Sequence, residues 1–301
     1  MSNPYINGWL AEQEASDAQA LFGDAGNLQV VGEDDAITRI KAASENPVTT
    51  HPWVMSETLF ENHELPFKRL TVYNQDANNC AGQGTSRAVE AFMTISKWIA
   101  TRRELTPFEI FVPWVWGVGK NEAGQPGTGG ATMSSMLSMI TNNGVLPADT
   151  PGLPPYKGTS NAWARNYGKQ AKNAPYSQYW SEAKQFIVTA AQLPKDPNLF
   201  YLACKAGYSV AFGTSQKIVM SGSGYKRTWK ASGSWMHAMA AYGYDAELDA
   251  VGIDNSHGDG HAWADKSVIK SVVAARYFEA FVILDITPRK AAADWRTTGR
   301  N

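Results

Sequence analysis

The 301-residue chain is poor in cysteine, with only Cys80 and Cys204, far apart in sequence. A secreted fold stapled by disulfides needs more, so that class is disfavoured and a reducing compartment is expected. Charge of one sign is also lacking: Lys+Arg 27 against Asp+Glu 28 leaves a net charge of −1. No basic face is forced by that balance, and no nucleic-acid partner is expected. No apolar run approaches the roughly 20 residues that span a bilayer. The first 18 residues are polar and lack the apolar core of a signal peptide. No membrane partner is expected, and the protein is expected in the cytoplasm or packaged from there into a particle. Repeats and low-complexity tracts are missing too. What remains is an ordinary globular composition, 44% hydrophobic and 18% charged, enough for one large core or two medium ones.

The pattern along the chain divides it. Residues 1–50 read as an extension or arm, with short helical patterns at 9–22 and 35–43 among charged and small residues. Residues 51–73 read as extended, since Pro52 and Pro66 interrupt any helix. Over 80–100, Val89, Phe92, Ile95 and Ile99 recur at three- and four-residue spacing, which predicts a helix with one apolar face. Asn78 and Asn79 are its candidate N-caps. Gly82 and Gly84, poor helix formers, permit close packing or substrate approach. A short segment at 106–116 and a glycine-rich loop at 124–130 precede a second helix over 131–142, stopped by Asn143-Gly144. Residues 147–156 are proline-rich and irregular. A polar helical stretch is expected over 159–192 and another helix over 197–205. Short apolar segments bounded by turn residues, 208–213, 238–244, 250–254 and 280–286, read as strands. Helices first and strands later argue for an α+β fold, divided as arm 1–50, helical part 51–165 and β-rich part 166–301.

Two residue types could carry chemistry. A thiol in the first turn of the 80–100 helix meets the positive end of the macrodipole, which favours thiolate. A lone cysteine is more often inert core. The polar, glycine-rich surroundings Asn78-Asn79-Cys80-Ala81-Gly82-Gln83-Gly84 argue otherwise here, whereas Cys204, beside Phe200 and Leu202, reads as core. Of the five histidines, His51 and His63 lie in the polar approach, and His237 opens the apolar strand where an imidazole can face a cleft. His257, Asp259 and His261 form a His-x-Asp-x-His pattern that zinc accepts. A glycine-rich loop fixes no geometry for it, and no metal or cofactor is assigned. Trp114, Trp116, Trp235 and Trp263 either line a cleft or pack in the core.

At these residues the sequence resembles the papain-like cysteine peptidase family. Asn74-Gln75-Asp76 before Cys80-Ala81-Gly82 resembles the family's segment with a glutamine ahead of the nucleophile. Leu105-Thr106-Pro107 is similar to its Leu-Ser-Pro element. Gly129-Gly130-Ala131, Asn143-Gly144-Val145 and Pro155-Tyr156 follow in family order. His237-Ala238-Met239 through Tyr242-Gly243-Tyr244 resembles the histidine strand, Asn255-Ser256-His257-Gly258 the Asn-Ser-Trp-Gly motif, and 281–286 the closing strand.

The resemblance implies a two-lobed fold, a helical lobe and an antiparallel β-barrel-like lobe, with the active site in the cleft between them. It implies a triad of Cys80 as nucleophile, His237 as acid and base and Asn255 as its orienting partner. The oxyanion donors would be the Cys80 backbone N–H and the Gln75 amide. The implied partner is a peptide or protein substrate; residues 1–50, by their own pattern, read as an arm, a docking segment for an assembly partner or a self-inhibiting cover. The sequence departs from the pattern in four places. Gln75 stands five residues before Cys80, not six, and Ala77 replaces a disulfide cysteine. His257 replaces a shielding tryptophan, and the arm is shorter than the usual inhibitory propeptide. These departures keep a second expectation open, a structural or binding component of a larger assembly such as a phage particle. Acyl transfer to an amine by the same triad is a third.

Overall fold

A computed structural model describes residues 32–45, 70, 74–75, 78–101, 109–125, 130–153 and 177–288. The pattern at 9–22, both His51 and His63, and the expected boundary near residue 165 lie outside the described residues.

The centre of the fold is a six-stranded sheet in the order β1-β6-β2-β3-β4-β5. Its strands are β1 (Phe186–Gln192), β2 (Ser209–Ser221), β3 (Thr228–Asp245), β4 (Ala250–Asn255), β5 (Gly260–Ala264) and β6 (Phe278–Pro288). All neighbours in that order pair antiparallel. At one end the sheet curls, so that Trp263 of β5 meets Thr228 at the start of β3 in a parallel pair. The ring β3-β4-β5 gives this part its barrel-like form. The α+β class expected from the sequence is what the chain adopts.

Helices cover both faces. On one lie α2 (Cys80–Thr101) and α4 (Met133–Asn142), with a π-helix (Trp114–Val118) that runs into the short α3 (Gly119–Glu122). Their buried residues, Val89, Phe92, Ile95 and Met136 among them, share a core with Ala238, Ala240 and Tyr242 of β3. On the other face, α1 (Glu33–Ser44), α6 (Pro197–Lys205) and α7 (Lys266–Ala274) cover Met239, Ala241, Val251 and Ile253. Helix α5 (Ser177–Ala183) packs with the π-helix through Tyr179. Strand alternation explains the two cores. Gly243, at φ +78°, carries a bulge between Tyr242 and Tyr244, which sends these two tyrosines to opposite faces.

Three expectations need correction. Residues 186–192, expected to be helical, form β1, because Phe186, Ile187 and Val188 are β-formers buried by the neighbouring strand. The glycine-rich loop around His261 is in part strand β5, whose register is imposed by β4. Strands β2 and β3 also extend well beyond their apolar segments, as a hairpin whose outer residues are mostly exposed or half-buried. Cross-strand pairing, invisible in the local pattern, supplies all three.

The close approach of α2 depends on two missing side chains. A Cβ at Gly84 would lie 2.9 Å from the Met239 carbonyl oxygen, and one at Gly82 would lie 2.5 Å from Trp116 Cβ. Both glycines serve packing.

Candidate active site

Helix α2 begins at Cys80, as expected. The Asn79 carbonyl accepts the first helical bond from Gln83 N at 3.0 Å, and its side-chain oxygen accepts from Gln83 Nε2 at 2.9 Å. Asn79 therefore starts the helix and Cys80 is its first residue, with its own backbone N–H and that of Ala81 turned toward the thiol. The backbone N–H of Ala238, the residue after His237, also donates toward the sulfur. Helix α2 and strand β3 thus bring Cys80 beside the segment that carries His237.

His237 is fully buried and bonds through Nε2 to Asn255 Oδ1 at 2.7 Å. Its protonation follows from the next partner along. Asn255 Nδ2 donates to Asp259 Oδ2 at 3.1 Å, which turns Oδ1 toward the imidazole. An amide oxygen only accepts, so His237 Nε2 carries the hydrogen and Nδ1 carries the lone pair. Three of the four residues expected at the site, Cys80, His237 and Asn255, lie where α2, β3 and the end of β4 converge.

Gln75, the fourth, is tied to the loop beyond Asn255. Its backbone N donates to the Ser256 carbonyl at 2.7 Å, and its Oε1 accepts from Ser256 Oγ at 2.7 Å. An isolated antiparallel bridge between Asn74 and His257 adds a second tie. With Oε1 fixed, the orientation of the Gln75 amide is fixed too.

Aromatic rings enclose the imidazole. Trp235 lies 4.7 Å from His237, and His257 lies 4.2 Å away at an interplanar angle of 37°. His257 therefore covers His237, as the resemblance implied for a tryptophan there. Its partial cover lowers the His257 pKa, against an opposing pull from Asp259. Trp114, Trp116 and Trp263 are core residues, and only Trp235 among the four tryptophans faces the site.

The thiol itself departs from expectation. Cys80 is completely buried, and burial pushes its pKa up to about 12 despite the three backbone N–H groups that favour thiolate. Burial thus opposes the thiolate that the helix start favours. Cys204 is also free and fully buried in the opposite core, where burial raises its pKa, consistent with an inert position.

No protein-family model matches the chain, and no curated protein matches it. The chain is similar in structure to a cysteine protease from Xylella fastidiosa, xylellain, at 17% identity and a TM-score of 0.49, over 94% of this chain and 98% of that one. It is also similar to procathepsin B S9 from Trypanosoma congolense at 11% identity and 0.42, over 72% of each chain. At such identities neither assigns a role to any residue here.

The His-x-Asp-x-His pattern does not converge. The His257 ring faces His237, while the His261 ring faces Tyr242 and Trp263. Among the described residues no group of His, Cys, Asp or Glu could hold a metal ion, and no helix is long and apolar enough to cross a membrane.

Sequence reasoning missed the buried polar residues behind the site: Arg87 and Glu90 on α2, Tyr242 on β3 and Asp254 on β4. A signal was present in part. Asp254 closes the apolar run 250–253, whereas Arg87 and Glu90 fall on the side of the helix opposite Val89, Phe92 and Ile95, where a sequence reads solvent.

Proposed function

We propose that this chain is a papain-like cysteine peptidase that hydrolyses peptide bonds with Cys80, His237 and Asn255. The observation that carries the reading is the 2.7 Å bond from His237 Nε2 to Asn255 Oδ1, on a strand whose next residue touches the Cys80 thiol. That tautomer leaves His237 Nδ1 as the base. As a substrate carbonyl enters, the Cys80 proton passes to Nδ1 and the sulfur bonds to the carbonyl carbon. The oxyanion is held by the Cys80 backbone N–H and the Gln75 amide, whose carbonyl end Ser256 already anchors. The C–N bond breaks as Nδ1–H protonates the leaving amine. Water, deprotonated by Nδ1, then cleaves the thioester and returns the thiol. Asn255 holds the ring throughout, and the substrate is a peptide or protein.

The test is the rate of Cys80 alkylation by iodoacetamide against pH, in the intact protein and in His237→Ala, with cleavage of a labelled unfolded protein measured alongside. We expect alkylation of Cys80 below pH 8, its proton passing to His237 as the sulfur reacts, that disappears in His237→Ala, and cleavage that disappears in Cys80→Ala. Absence of both reactivity and cleavage would overturn the peptidase reading.

One observation favours a second reading. The complete burial of Cys80 suits a catalytically silent protein that serves as a structural or binding component of a larger assembly. Such a protein would form a stable complex through residues 1–50, and Cys80→Ala would change nothing.

A further inference from the structure

Behind the triad lies a chain of buried charges. The Arg87 side chain, two helical turns after Cys80 on α2, reaches Glu90 Oε2 through Nη1 at 3.0 Å and Asp254 Oδ2 through Nε at 3.0 Å. The Tyr242 hydroxyl donates to Asp254 Oδ2 at 2.6 Å, and Ile110 N donates to Glu90 Oε1 at 2.7 Å. The charged side chains are at most 2% exposed, and Tyr242 is fully buried. Asp254 is the residue immediately before Asn255.

Burying three charges is a poor way to gain stability. Well-packed apolar residues of similar volume often do as well or better, and the best-attested use of such groups is to fix register. Packing gives the register device a purpose here. No residue of β4 belongs to the apolar core that holds α2, and Val251 and Ile253 of β4 face the opposite layer. The Arg87–Asp254 pair is a direct side-chain bridge from the helix of Cys80 to the strand of Asn255. The cavity among Gln83, Arg87, Asp254 and Asn255 is only about 10 Å³, so the seam has little slack.

We propose that Arg87, Asp254 and Tyr242 are positioning residues that set Asn255, and through it His237, at its working distance from Cys80. This rests on the peptidase reading for its catalytic consequence, but the placement of His237 is measurable without it. Asp254→Asn leaves Arg87 and Glu90 as a balanced pair, and Tyr242→Phe removes one hydroxyl and no charge. The readouts are kcat and KM on a labelled peptide, and the ring-nitrogen NMR signals of His237, assigned with His237→Ala, across pH.

Both variants are expected to keep a wild-type far-UV spectrum. Asp254→Asn should shift the His237 titration and lower kcat by about tenfold or more, as a displaced catalytic group does, with KM held within about twofold. Tyr242→Phe should move both readouts in the same direction, and it decides the matter where Asp254→Asn does not fold. Folded variants with the wild-type His237 signal and wild-type kcat would overturn the proposal. A wild-type protein that neither reacts at Cys80 nor cleaves would defeat the peptidase reading, and the His237 signal would still decide the positioning role.

Discussion

His237 has a second imidazole against its face, and that neighbour titrates. The ring of His257 lies 4.2 Å away with its pKa below the ordinary histidine value because the site partly covers it. At neutral pH His257 is uncharged and serves only as a cover. As pH falls through its lowered pKa it gains a charge beside the ring that must itself become imidazolium during catalysis, and like charges disfavour each other. Asp259 is the carboxylate that opposes this. In His257→Phe the acid limb of the alkylation profile should therefore move to lower pH, with little change near pH 7.5. Superimposable wild-type and variant profiles would show that His257 does not tune the site. This residue was legible, because it stands in a motif whose other members are in place. The state of Cys80 was not: the sequence shows the helix start that lowers a thiol pKa, but burial, the larger effect here, is a property of the assembled layers.

Between elements, the seam that matters is α2 on β3. Val89, Phe92 and Ile95 pack there at helical spacing, and Gly84 removes the one side chain that would hold the backbones apart. Gly84→Ala places a methyl 2.9 Å from the Met239 carbonyl oxygen, so the helix or the strand must shift. Overpacking of this kind costs about 1–3 kcal/mol. Urea unfolding should show that loss, and Cys80 reactivity should fall with it because Ala238 donates toward the thiol from the same strand. A variant as stable and as reactive as wild type would mean the seam can absorb a methyl. Helix α2 could be read from sequence because its periodicity is local, and so could α6, with Asp196 as its cap. Strand β1 could not. Its residues 186–192 follow a polar stretch without a turn signal, and only pairing with β6 makes them a strand. Strand β5 carries just His261, Ala262, Trp263 and Ala264 after two glycines, too short a run to display a period of its own.

For the molecule as a whole, His261 links folding to pH. It sits in β5 with no exposed surface, its Nε2 directed at the Tyr242 carbonyl 3.5 Å away. A Cβ at Gly252 would overlap its ring. Burial holds the His261 pKa down to about 3, and the nearby Arg227 and Arg87 push the same way. The native state therefore keeps it neutral, while the unfolded chain takes up a proton near pH 6.5. The sign follows directly: the stability is fully present above about pH 6.5 and is lost as pH falls toward 3, at up to about 1.4 kcal/mol per pH unit. The raised pKa of buried Asp254 acts the other way, between the ordinary carboxylate range and its raised value. His261 by itself should cost the full chain about 2 kcal/mol between pH 6.5 and 5, read as a lower urea midpoint. His261→Gln should flatten that slope even if it starts from a lower stability. Equal slopes of midpoint against pH in wild type and His261→Gln would mean that His261 accepts its proton in the folded protein, and that the layer over β5 opens far more readily than its burial implies.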